Sequence, residues 1–430
     1  MIKHYFMQAL SQLRQQPIIG VVNVLGTMLA IFLIMLVVMI QQVKVAPFPP
    51  ESNRDRLLHV RALGINNERW GRDKGTGSIS VKTAKECYKS LETPEAVSIF
   101  TIVVVTAQAS IPRMPSVGVD LRQTDDTFWQ VFDFPFIDGK PYDKASFEAG
   151  LPVAVITESI ARTLFGTSDV SGREFLLNHA FYKVVGVVKD VSTLADTAYG
   201  QVWIPYTSTD IENDTWADGC MGEMSVVILA RNRDDFDVIR GEARKKMDAY
   251  NKVLAEGGYE LVDYNRPYDQ EKQAIAFWSN MEPDLKADRR QRVIILVILL
   301  LVPAINLSSM TQSRLRRRVS EIGVCRAFGC TRSELIGQIL AENFIVTLFA
   351  GVLGLLLSMA FAYWGADILF AQPYSQTLNT PTVDASILMH TSTFLWALAF
   401  CFLLNLLSSA IPAWKASRTN IVNALNGKLH

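Results

Sequence analysis

The chain has 430 residues, 49% of them hydrophobic, and its 42 basic and 42 acidic side chains cancel to a formal charge of zero. Spread evenly, such a composition would suit two or three soluble domains. The apolar residues instead gather in long blocks, which excludes a purely soluble protein, and the neutral balance leaves no basic excess to attract a nucleic-acid partner.

At the start, Ile2, Tyr5, Phe6, Ala9, Leu10 and Leu13 recur at helical spacing on one side. The spacing predicts an amphipathic helix over 1–17 that lies flat at the inner membrane interface. Because Pro17 can also begin a helix, a plain extension of the first span is the alternative. The first apolar run, Ile18 to Ile40, defines a span over 18–41. Lys3 and Arg14 before it suggest a secretory signal, but the run is too long and lacks a small-residue cleavage pattern, so it is read as a retained anchor.

Residues 44–288 are long enough to fold with a core of their own. The Pro-rich "APFPPES" (46–52) reads as a spacer, "RLLHVRAL" (56–63) as a strand, "SVKTAKECYKSLE" (80–92) as a helix capped by Ser80, and "AVSIFTIVVV" (96–105) as a second strand. The order recurs in "MSVVILA" (224–230), the helical "DFDVIRGEARKKMDAYNKVL" (235–254) and "YELVDY" (259–264), which closes a second β-α-β unit. The two units take about 53–117 and 211–270. Between them, about 118–210 is a strand-rich insert in which "PVAVITESIARTLFG" (152–166) runs from strand into a helix with Thr157 as N-cap and Gly166 as stop.

This region shows little chemistry. The five histidines are scattered without metal-ligand spacing. Asp125, Asp126, Asp133 and Asp138 form a loose acidic group, read as solvated loop carboxylates. Cys87 and Cys220 lie in different β-α-β units, where an oxidising compartment would permit but not require a bridge.

Three more apolar runs follow, Val293 to Met310, Phe344 to about Phe370 and Phe394 to Ile411. Each is about the length that crosses a hydrocarbon core of ~30 Å, and they define spans over 293–311, 336–370 and 394–412. Near the spans, 1–17 carries Lys3 and Arg14, 312–335 carries six arginines against Glu321 and Glu334, and the tail 413–430 carries Lys415, Arg418 and Lys428. The loop 371–393 has no Lys or Arg. The positive-inside rule therefore predicts cytoplasmic termini and a large extracytoplasmic domain. Arg289, Arg290 and Arg292 oppose it, but long domains translocate largely regardless of charge. Within the third span Ala350, Gly354, Ser358, Ala362 and Ala366 recur every four residues, a helix-packing ribbon that suits either another span or a second subunit. Asn23, Asn306 and Asn405 are read as bonding between helices; they are too few for an ion path.

The cytoplasmic loop 314–335, "RLRRRVSEIGVCRAFGCTRSEL", divides into a short helix over about 319–328, a stop at Gly329, and a new helix opened by the capping box Thr331–Glu334. That helix, drawn to about Phe370, is too long for a bilayer alone. Arg314, Arg316, Arg317 and Arg318 suit lipid head groups, whereas Ile322, Val324 and Phe328 on a helix apolar around most of its circumference call for a protein partner.

These residues carry a resemblance. "RRVSEIGVCRAFGCTR" (317–332), the following "ILAEN", and the closing "IPAWKASRTNIVNAL" (411–425) resemble the signatures of MacB/FtsX-type ABC transporter permeases, with Ile421 or Val422 where the family has Pro. "TDDTFWQVFDFPFIDGKP", "VAVITESIARTLFG", "YKVVGVVKDV" and "VWIPY" follow the MacB-like periplasmic pattern in order. The resemblance implies an α-helical membrane protein of four transmembrane helices with a large α+β extracytoplasmic domain, whose two β-α-β units form a porter-like subdomain around the insert. It implies a mechanotransmitting permease in a bacterial inner membrane, working in efflux from the periplasm. An ABC ATPase would contact a coupling helix at Glu321, Ile322, Gly323, Val324, Arg326, Phe328 and Gly329. The chain has no G-x-x-x-x-G-K-[ST], so catalysis is expected in that separate subunit, with ATP and Mg as its cofactors and none bound here. A second permease copy or paralogue is an expected partner, as are a periplasmic adaptor and an outer-membrane channel. Lipoprotein release and regulation of cell-wall hydrolases are the alternatives within the family. A ligand-sensing receptor is the alternative outside it, disfavoured because only about 18 residues follow the last span.

Overall fold

The computed structural model describes residues 17–67, 75–276, 280–317, 319–365 and 391–417. The amphipathic segment 1–16, most of the loop 371–393 and the tail from 418 lie outside the described residues. The chain divides into a helical unit and a domain over Val43–Leu285. Helix α1 spans Pro17–Val45.

In the domain, β1 (Leu57–Val60), β2 (Leu63–Asn67) and β3 (Gly75–Gly77) precede α2 (Val81–Ala84, continuing as a π turn over Lys85–Lys89) and β4 (Ala96–Thr101). Ser80 caps α2, its Oγ accepting from Thr83 N at 3.1 Å. Later come β12 (Met224–Leu229), α4 (Phe236–Leu254), β13 (Tyr259–Val262) and β14 (Tyr268–Asp269). Strand order β14–β1–β12–β4, antiparallel throughout, is the split β-α-β arrangement in which each unit's two strands flank a strand of the other. Alternate residues point one way, as the period of two requires. Val60, Ile99, Val226 and Ile228 share a core with Tyr88 of the π turn and Ile239 and Met247 of α4. On the opposite face His59, Ser98 and Ser225 are buried as well.

The segment 259–264 does not close the second unit. β13 pairs with β2 in a separate three-stranded sheet, and the two-residue β14 takes the edge beside β1. Two contacts explain the choice. The Asn251 side chain donates to Leu261 O at 2.9 Å and accepts from Leu261 N at 2.8 Å, holding β13 against α4. Gly64 in β2 lies so close to the Tyr264 ring that a Cβ would meet it at 2.5 Å.

The insert begins before residue 118, because β5 (Val105–Ser110) belongs to it; with β5 it comprises β6 (Val117–Thr124), β7 (Phe136–Gly139), β8 (Val153–Thr157), α3 (Glu158–Phe165), β9 (Glu174–Leu177), β10 (Ala180–Val188) and β11 (Val202–Pro205). Pairing runs β6–β11–β8–β10–β9–β5 and returns to β6. This six-stranded barrel leaves no open edge among its own strands. Its core includes Val119, Ile156, Phe175, Tyr182, Val184 and Ile204. In the sheet ladder one residue pair, Phe100↔Thr124, joins it to β4. Gly166 ends α3 at φ +75°, but Thr157 does not cap it with its hydroxyl. Asp190 accepts from Ser159 N at 3.1 Å instead.

The helical unit continues with α5 (Leu285–Arg317), α6 (Val319–Ala327), α7 (Arg332–Trp364) and α8 (Thr391–Ser417). Three segments among the described residues, Val24–Val45, Arg332–Trp364 and Leu395–Lys415, are long and apolar enough to cross a membrane, and α5 contains the run 293–310. α7 ends at Trp364, where Gly365 N bonds Phe361 O; residues 366–370 of the predicted span lie outside the described residues. At about 1.5 Å per residue α7 is roughly 50 Å long. Asn405 Nδ2 donates to Leu340 O at 3.2 Å, and Asn343 Nδ2 to Ser409 Oγ at 2.9 Å. Both bonds tie α7 to α8. The side chains of Asn23 and Asn306 lie outside the described residues.

Candidate functional site

The turn between α5 and α7 is assembled by local rules. Gly329 adopts φ +95°, the left-handed conformation that ends helices cheaply only at glycine. Cys330 N reaches back to Cys325 O at 3.2 Å, and Phe328 N bonds Val324 O at 3.1 Å. Thr331 and Glu334 then form the reciprocal capping box that starts α7, with Thr331 N donating to Glu334 Oε2 at 2.9 Å and Glu334 N to Thr331 Oγ1 at 3.3 Å.

This geometry divides α6 into two sides. Ile322, 9% exposed, packs in a cluster with Leu315, Leu335, Ile339 and Ala413, and Gly323 is buried beside it. Ile322 therefore corrects the expectation of a partner-facing residue, because a nine-residue helix holds its place only by burying one side against its own neighbours. Val324 is 45% and Phe328 89% exposed. Glu321 and Gly329 are exposed too, and the Arg326 side chain lies outside the described residues.

The small-residue ribbon on α7 is occupied within the chain. Ala350, Gly354, Ser358 and Ala362 are buried, and a Cβ on Gly354 would come within 2.8 Å of Met28 O and 3.2 Å of Ile31 Cβ. Helix α1 thus fills the groove that these residues leave. Ala366 lies outside the described residues.

In the domain, sequence reasoning missed a buried ionic cluster. Glu51 and Arg54, 1% and 3% exposed, pair at 2.6 Å. Arg54 also donates to Val43 O at 2.7 Å, Ala46 O at 3.2 Å and Leu194 O at 2.8 Å, while Glu51 Oε1 accepts from Thr197 N and Ala198 N, both at 2.9 Å. The strip 46–52 is therefore no spacer: its Glu51, with Arg54 just after it, fastens the end of α1 to the loop before β11. The nearest sequence signal is an acid and a base three residues apart in a proline-rich strip. Arg122 braces the same loop through Tyr199 O at 2.5 Å and Asp196 O at 3.0 Å, and β4 through Thr101 O at 2.8 Å. Burial lowers its pKa to about 10.

Two of the acidic residues read as solvated are structural. Asp125, 1% exposed, accepts from Ser98 Oγ at 2.7 Å, Lys89 Nζ at 2.6 Å and Phe128 N at 3.1 Å. Asp138 accepts from Val170 N at 2.9 Å and Ser171 N at 2.8 Å. Cys87 and Cys220 are free and buried. Burial pushes their thiols up to about 12 and about 11. No group of three His, Cys, Asp or Glu side chains suits a metal among the described residues.

Long apolar helices joined to a β-rich split β-α-β domain with a barrel insert define a membrane-type protein with a large extramembrane domain. Residues 21–246 match the MacB-like periplasmic core domain and 293–421 the FtsX-like permease C-terminal region; the chain belongs to the MacB/FtsX-type permease family. It is 23% identical over 397 residues to the macrolide export ATP-binding/permease protein MacB of Chromobacterium violaceum, covering 87% of this chain and 54% of that one. It is 21% identical over 309 residues to the uncharacterised ABC transporter permease YknZ of Bacillus subtilis, covering 70% and 68%. The periplasmic region of MacB from Actinobacillus actinomycetemcomitans aligns at 14% identity and a TM-score of 0.35, covering 51% of this chain and 94% of that one. The chain spans about half the length of the export proteins that it matches.

Proposed function

We propose that the chain is the permease subunit of an ABC export system, with four spans, cytoplasmic termini and the domain in the periplasm. A separate ATPase docks on α6 and consumes ATP with Mg. α7 and α1 carry its movement to the periplasmic domain, which acts on a substrate there. Two permeases, identical or paralogous, serve the two ATPase subunits, and an adaptor and outer-membrane channel complete the route in export systems that cross both membranes.

The observation that carries this reading is the two-sided α6. Ile322 fastens one side to the helical unit, while Phe328, 89% exposed, and Val324, 45% exposed, stand free on the other. Apolar side chains presented beside a rigid helix are what a partner's pocket takes as an anchor, and the capping box locks this turn to α7, so a push on α6 is delivered to a ~50 Å rod. The names of the relatives support the coupling to ATP, since MacB is an ATP-binding/permease protein.

The test is co-purification. Phe328→Glu and Val324→Glu should each abolish recovery of the ATPase while membrane insertion and melting stay at the parent level. ATPase retained at parental amounts by the double variant would remove α6 as the contact.

A further inference from the structure

We propose that a cavity in the periplasmic domain, beside the last turn of α1, is a binding site for a hydroxyl-bearing phosphate ester. The cavity has a volume of about 490 Å³, within the size range of small-ligand sites. Lys44, Arg54, Arg61 and Arg266 line it against only two carboxylates, Glu51 and Asp196.

Those carboxylates are already committed. Glu51 holds Arg54, and Asp196 pairs with Arg61, which leaves Lys44 and Arg266 without a salt bridge among the described residues, although Asp263 and Glu282 lie near enough to Arg266 to act on its charge. Lys44 is exposed, and a solvated lysine needs none. Arg266 differs, because it is 5% exposed. One of its N–H groups donates to Asp263 O at 3.2 Å. Its guanidinium lies over the Tyr268 ring at 4.7 Å, and its other N–H groups have no acceptor among the described residues. A guanidinium held by stacking, with free donors on a cavity, is preorganised for an anion, and its planar fork matches phosphate oxygens. Two further lining groups specify more than charge. Gln273 Oε1 and Thr193 Oγ1 are buried and have no hydrogen-bond partner among the described residues. Gln270 beside them is fully engaged, donating to Lys44 O and bonding His59 Nε2, both at 2.8 Å. An orphan amide oxygen is satisfied by a ligand that donates, so the phosphate is one whose ester carries a hydroxyl.

Such chemistry occurs in a glycerol-type phospholipid head group and in a free sugar or glycerol phosphate. The purified full-length chain in mild detergent is titrated with phosphatidylglycerol and, separately, phosphatidylcholine by native mass spectrometry, and with glycerol 3-phosphate by calorimetry. Saturable retention of phosphatidylglycerol at least tenfold tighter than phosphatidylcholine supports the head-group source. Saturable glycerol 3-phosphate binding without preferential lipid retention supports the free ester. In either arm Arg266→Gln should weaken binding about tenfold or more. The exposed Lys44→Gln, which leaves folding untouched, should weaken it about twofold to fivefold. The proposal is overturned if neither probe binds saturably, or if both variants bind like the parent. Neither variant touches α6, so ATPase co-purification stays intact and reports separately on the export reading.

Discussion

The Glu51–Arg54 pair should be among the most costly single contacts to break in the domain. Replacing Glu51 by Ala strands Arg54 at 3% exposure and orphans Thr197 N and Ala198 N, each of which donates to the carboxylate at 2.9 Å. Breaking a buried ion pair from one side costs about 3–5 kcal/mol. Glu51→Gln keeps the shape and one acceptor and should cost roughly 1.5–3 kcal/mol. Arg54→Ala is expected to cost as much as Glu51→Ala, because it also uncaps Val43 O and Ala46 O. The double variant should cost less than the sum, since each single change creates an unpaired group that the second removes. The assay is hydrogen exchange on the full-length protein, read at residues 43–56 and 192–201, where opening is local. A loss of 3 kcal/mol appears there as a more than hundredfold faster exchange. Exchange within threefold of the parent in Glu51→Ala would refute the reasoning and return 46–52 to the role of a spacer.

Burial, with help from Arg61, depresses His59 to about 3. The folded state therefore keeps it neutral, whereas the unfolded chain binds a proton below about 6.5. Stability from this group is complete above pH 6.5 and falls as pH drops, by about 2 kcal/mol at pH 5; the melting temperature of the domain should fall accordingly between pH 7 and 5, and His59→Gln should flatten that slope. Gly354→Leu has no room beside Met28 O and Ile31, so it should cost about 1–3 kcal/mol or more and lower the melting temperature of the detergent-solubilised protein. Gly26→Leu, whose Cβ would meet nothing within 4 Å, is the control that should leave it unchanged.

What could be read from sequence was what neighbouring residues decide. The apolar runs mark the long helices, Gly329 and Gly166 mark helix ends, and Thr331 with Glu334 marks a helix start, because each signal acts within a turn or two. What could not be read depends on partners far along the chain. The strand 259–262 is as apolar and β-prone as its role in either sheet requires, and only the Asn251 amide and the space above Gly64 send it to β2. The barrel closes through β6–β11 pairing, 81 residues apart at Leu121↔Val202, which no periodicity announces. Ile322 and Phe328 look alike in sequence, six residues apart, one in a short helix and the other just past its end. Leu315, Leu335 and Ala413 decide which is core and which is surface. Asp125 was misread for the same reason, since Ser98 and Lys89 reach it from separate elements.

The domain's strand order brings its own ends together. The chain enters through β1 and leaves beside it through β14, with Leu58 opposite Asp269. The barrel departs from β4 and rejoins at β12, where Thr101 lies opposite Met224. Each unit is thus nested in its host through two adjacent openings, like one parenthesis inside another. Excising the barrel leaves ends at Thr101 and Met224 that a short turn could join. A module connected this way can be lengthened, exchanged or lost in descent without rethreading the sheet that carries it.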